Sequence, residues 1–71
     1  MGDPWWRAES DLCSKLIRDK HELASAEFDN ALQRWVGFDY TQPNNTQAGC
    51  VTVGPFETLM ETMDALEKSV L

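Results

Sequence analysis

The chain has 71 residues, a hydrophobic fraction of 42%, three tryptophans and a formal net charge of -6. That length makes one domain, close to the size at which a single core is marginal, and the apolar and aromatic content argues against an intrinsically disordered chain. The acidic balance disfavours direct binding to a nucleic-acid backbone or an anionic membrane, both of which call for a basic footprint, and suits solubility or a basic protein partner.

The first element runs from Asp3 to Phe38. Asp3 is a good N-cap and Pro4 falls at the first helical position. Beyond Pro4 there is no proline or glycine before Gly37. Trp5, Trp6, Leu12, Cys13, Leu16, Ile17, Leu23, Ala24, Phe28, Ala31, Leu32 and Trp35 recur at helical spacing. Adjacent pairs such as Leu16/Ile17 make the stripe wide, and Asp11 and Lys15 stand in the favourable acid-first order on the polar side. The expectation is one long amphipathic helix over residues 4–36, roughly 50 Å at ~1.5 Å per residue, with Gly37 as its C′ residue.

Residues 37–54 read as a connector. Pro43-Asn44-Asn45 is turn chemistry, and Phe38-Asp39-Tyr40-Thr41 and Cys50-Val51-Thr52-Val53 have some strand character. The reading favours an ordered, irregular loop, with a small β-hairpin as the alternative. A second, shorter helix follows over residues 55–70. Gly54-Pro55 opens it, and Phe56, Leu59, Met63, Leu66 and Val70 form an a/d seam suited to packing on another helix. The expected fold is therefore all-α: a helical hairpin of one long and one shorter helix.

Trp35-Val36-Gly37 is similar to the Trp-x-Gly turn of a class of small secreted bacterial helical hairpins. The likeness spans three residues and the second helix is short for that class, so Trp35 is assigned to the core and Gly37 to the helix end.

The two helices differ in length. Folded back, the second covers roughly 25 Å of the first, leaving apolar side chains that would each contribute about 1.5–3 kcal/mol on burial. An uncovered patch of this kind marks an association surface. Homodimerisation into a four-helix, coiled-coil-like arrangement is the simplest closed solution. Trp5, Trp6, Arg7, Leu12, Leu16 and Ile17 are the candidate dimer or partner interface, since Trp and Arg are favoured hot-spot types. The acidic row Glu57, Glu61, Asp64 and Glu67 is a second candidate contact face.

Chemistry-bearing residues are sparse. His21 alone does not make a zinc site. Cys13 lies on the apolar stripe, where burial raises a thiol's pKa, and nothing nearby in sequence supplies a base for Cys13 or Cys50. No catalytic, metal or cofactor function is expected. The opening residues lack the apolar core of a signal peptide and no apolar run suits a membrane span, so a cytoplasmic protein is expected. The functional expectation is a small interaction module that pairs with itself and docks on another protein to modulate or inhibit it, a role that a phage-encoded anti-host factor would fit. The alternative is an acidic decoy that mimics nucleic acid and blocks the basic groove of a DNA- or RNA-binding protein.

Overall fold

The computed structural model describes residues 3–41 and 53–70. They form five strands followed by one helix: β1 (Trp5–Ser10), β2 (Cys13–Arg18), β3 (His21–Asp29), β4 (Arg34–Asp39), β5 (Val53–Phe56) and α1 (Leu59–Val70). The strands lie in chain order, each antiparallel to the next, and α1 packs over β3, β4 and β5. No helix among the described residues is long and apolar enough to cross a membrane.

Local sequence explains the strands once it is taken two residues at a time. In β2, Ser14 and Leu16 point to one face while Cys13, Lys15 and Ile17 point to the other, the alternation that a pleated strand imposes. The three turns from β1 to β4 use neither glycine nor proline. Asp11-Leu12 closes β1 onto β2, with the Leu12 amide donating to the Ser10 hydroxyl at 3.2 Å. In the β3–β4 turn, the Asp29 carboxylate accepts the amides of Ala31 at 2.9 Å and Leu32 at 3.1 Å, and Gln33 adopts φ 55°.

The β2–β3 turn is Asp19-Lys20, with φ of 52° and 69°. Positive φ at both central residues matches the twist of a two-residue hairpin. Asp tolerates that conformation, whereas a long side chain there costs about 1–2 kcal/mol. Glycine recovers this but loses some of it to the entropy of the unfolded chain. Lys20→Gly is therefore expected to stabilise the fold by about 0.5–1 kcal/mol, read as a raised urea midpoint at unchanged slope. An unchanged or lower midpoint would contradict the turn geometry.

Cross-strand partners share a face, so pairing fixes what lies beneath the helix. One row is Trp6, Leu16, Ala24 and Asp39; the next is Ser14, Ala26, Gly37 and Val53; a third is Phe28, Trp35 and Phe56. The middle of this floor is small: Ala24, Ala26 and Gly37. Leu66 of α1 is fully buried with Leu16, Ala24 and Ala26. Trp6, Leu23, Val53, Leu59, Met63 and Val70 close around them. Leu23 reaches this core as the extra residue of a bulge, because Leu16 pairs with Ala24 while Ile17 pairs with Glu22.

Three polar ties hold α1 in place. The Thr58 hydroxyl accepts the Glu61 amide at 3.2 Å and donates to the Glu61 carboxylate at 2.9 Å, capping the helix start. The Trp6 indole N–H donates to Glu67 at 2.7 Å. At the far end, the Ser69 hydroxyl donates to the buried Asp39 carboxylate, which also accepts the Thr41 amide at 2.8 Å. A buried carboxylate is tolerable only with such donors around it.

This architecture overturns the expected all-α helical hairpin and, with it, the coiled coil. Residues 4–36 do not form a helix; they hold β1, β2, β3 and the start of β4. A helix does form near the C-terminus, at Leu59–Val70, but Pro55 and Phe56 belong to β5. Of the expected connector, Gly37 to Asp39 complete β4 and Val53 and Gly54 open β5, and these two strands pair with each other. Residues 42–52, including the Pro43 turn and Cys50, lie outside the described residues. Gly37 is no helix cap but the middle of a strand, and Trp35 meets Phe28 edge-on at 5.4 Å. The shortfall in helix cover also disappears: α1 buries Leu16 and Ala24 within one chain. The expected helical pair Asp11–Lys15 gives way to cross-strand pairing, since Lys15 bonds Glu22 at 2.9 Å.

Candidate interaction surface on the second face of the sheet

The sheet face turned away from α1 carries a different set of residues. Pairing places Trp5, Ile17 and Glu22 in one row, and Arg7, Lys15, Ser25 and Phe38 in the next. Cys13, Glu27 and Val36 form a third. Tyr40 joins the first row from beyond β4, its amide donating to the Leu23 carbonyl at 2.9 Å. Ile17, Ser25 and Val36 are buried, while Trp5 is 52% and Tyr40 48% exposed. At ~4.8 Å per strand, the three steps from β1 to β4 set the two rings roughly 14 Å apart.

Between them runs a ladder of alternating charge. Arg7 Nε bonds Glu9 at 3.0 Å, and Lys15 Nζ lies 2.9 Å from Glu22 and 3.6 Å from Glu9. Hydrogen bonding from Arg7 lowers the Glu9 carboxyl below its ordinary range, and hydrogen bonding to Glu22 raises the Lys15 ammonium. Two bases face two acids, so the ladder is neutral. It stands in solvent, where such pairs are screened and stabilise the fold little. Beside it the Ser25 hydroxyl donates to Glu27 at 2.9 Å and lies 3.1 Å from the Tyr40 hydroxyl. This bond fixes the outer end of the Tyr40 ring.

The six candidate interface residues do not form one surface. Trp5, Arg7 and Ile17 share the second face. Trp6 and Leu16 lie beneath α1 and are intrachain packing. Leu12 is exposed in the β1–β2 turn, at the opposite end of β1 from Trp5. Of the acidic row, Glu57, Glu61 and Asp64 are exposed around α1, with Met60 beside them at 76% exposure, whereas Glu67 is held by Trp6. Glu9, Lys15, Glu22 and Tyr40 are not among the interface residues expected from the sequence. The alternation of Trp5, Arg7 and Glu9 is the one local signal that could have joined some of them.

Candidate chemistry is poor. Cys13 is a free thiol whose pKa is raised, first by burial and then by the Glu27 charge, the wrong direction for a nucleophile. His21 is exposed at the start of β3. Among the described residues, no group of three or more His, Cys, Asp or Glu side chains is placed to hold a metal ion. Compared with family models, curated proteins and solved structures, the chain gives no significant match.

Proposed function

We propose that this chain is a non-catalytic protein-binding module that docks on another protein through the face of its sheet opposite α1. The observation that carries this reading is the exposure of Trp5 and Tyr40 on either side of the neutral Arg7, Glu9, Lys15 and Glu22 ladder. Large aromatic rings and arginine are the side chains that most often dominate binding energy at protein interfaces. Strand backbone and the Ser25 bond hold them with little freedom left to lose on docking. Because the ladder is neutral, it offers donors and acceptors without demanding a partner of either charge. A module of this kind modulates or inhibits its partner by covering the surface it binds. The free Cys13 thiol fits action in a reducing compartment such as the cytoplasm.

A second reading rests on the exposed carboxylates of Glu57, Glu61 and Asp64, opposed on that side only by Lys68, which would suit an acidic decoy entering a basic groove. The two readings separate cleanly. In affinity capture from extract of the source cell, at low and high salt, Trp5→Ala is expected to weaken partner binding by about thirtyfold or more. A Glu61→Gln/Asp64→Asn variant should leave it within about threefold at either salt. Loss of binding in the carboxamide variant, with Trp5→Ala unaffected, would transfer the function to the helix.

A further inference from the structure

We infer that the free edge of β1 is a self-association site, and that two copies of the chain join there as an antiparallel pair about a two-fold axis through Ala8. The strand order leaves two edges, and they are unlike. β5 has four residues and contains Gly54, with a φ of 101°, and Pro55, which has no N–H to donate. β1 has six residues, has neither glycine nor proline, and among the described residues is paired on one side only. α1 packs over β3, β4 and β5; Trp6 reaches under it from β1, and the outer backbone edge of β1 is left uncovered by the helix. Glu9 is the extra residue of a bulge, since Ala8 pairs with Ser14 and Ser10 with Cys13, so its backbone is left unpaired by β2.

The side chains of β1 select both the partner and the register. A two-fold axis perpendicular to the sheet keeps each face on its own side. Centred on Ala8, it sets Arg7 of each copy opposite Glu9 of the other, all four on the second face. Two cross-strand ion pairs form by symmetry, in exchange for the Arg7–Glu9 pair within each chain, and the smallest side chain of the strand sits on the axis. Moving the axis to Arg7 stacks Arg7 on Arg7, and moving it to Glu9 stacks Glu9 on Glu9; like charges directly opposite are unfavourable. Charged residues ordinarily protect an edge from pairing. Here opposite signs two residues apart make the edge complementary to itself. The contact is isologous, and the broken β5 edge stops further addition, so the assembly closes as a dimer with a ten-stranded sheet rather than a filament.

Sedimentation equilibrium of four full-length proteins tests this: the natural chain, Arg7→Glu, Glu9→Arg and the double exchange Arg7→Glu/Glu9→Arg. The natural chain is expected to be dimeric at high micromolar concentration. Each single exchange places like charges opposite and should weaken the dimer by about tenfold or more, and the double exchange should restore it to within about threefold. A monomeric natural chain, a single exchange that leaves the dimer intact, or a folded double exchange that stays monomeric would each overturn the pairing. Should an exchanged chain fail to fold, amide hydrogen exchange on the natural chain decides. β1 amides must gain protection on concentration while β5 amides do not, and equal protection at both edges refutes the site. Trp5→Ala should leave the dimer unchanged, so failure of the docking face and failure of this pairing are told apart.

Discussion

Leu66→Ala is expected to remove about 2–5 kcal/mol of stability, toward the upper half of that range. At roughly 0.05–0.15 kcal/mol per residue, a chain of this length has about 4–11 kcal/mol in total, so the variant should stand near its unfolding threshold. Leu66 is fully buried, and the residues it contacts explain why the loss is large. A cavity costs less when neighbouring side chains swing in to fill it. Ala24 and Ala26 have no rotamers to change and Gly37 has no side chain at all, so the floor cannot rise into the space. α1 could settle instead, but its Trp6–Glu67 and Asp39–Ser69 ties fix its height at two points. Urea unfolding followed by tryptophan emission would measure the loss as a lowered midpoint at constant slope. A change below about 1 kcal/mol would mean that α1 does not sit on this floor.

That floor also explains what the sequence made legible. The C-terminal helix is legible because Leu59, Met63, Leu66 and Val70 keep a helical spacing, although its start is at the Thr58 cap and not at the expected Pro55. β3 could not. Glu22, Leu23, Ala24, Ala26 and Glu27 are good helix formers, yet the site beneath α1 needs small residues, and alanine serves there despite its low strand propensity. Tertiary packing overrode local preference. The adjacent apolar pair Leu16/Ile17 fits a wide helical stripe equally well, whereas the strand sends Leu16 toward α1 and Ile17 to the second face. The turns are hidden in the sequence for a related reason. Asp19, Lys20, Asn30 and Gln33 do the work usually signalled by glycine and proline, so the run up to Gly37 looked unbroken. Of the candidate surface, the sequence alone points to Trp5, Arg7 and Ile17. Glu22 and Tyr40 join Trp5 through pairing between strands far apart in sequence, which no local period reports.

Gly37→Ala supplies the opposite test, adding matter where Leu66→Ala takes it away. Where a site has room and ordinary backbone, Gly→Ala stabilises by about 0.4–1 kcal/mol by restricting the unfolded chain. Here a Cβ would stand 2.5 Å from Val53 Cγ2 and 2.9 Å from both Leu66 Cγ and Cδ1. Val53 is half-buried and can give a little, but Leu66 is fully buried on the tethered α1 and cannot clear the new methyl. Crowding of this kind costs about 1–3 kcal/mol, so Gly37→Ala is expected to destabilise despite the entropic gain. The double variant Gly37→Ala/Leu66→Ala then separates the causes. With the leucine gone, the new methyl partly fills the vacated space, and the pair should lose at least about 1 kcal/mol less than the sum of the single losses. Strict additivity in that cycle would show that Gly37 is needed for something other than the close approach of α1.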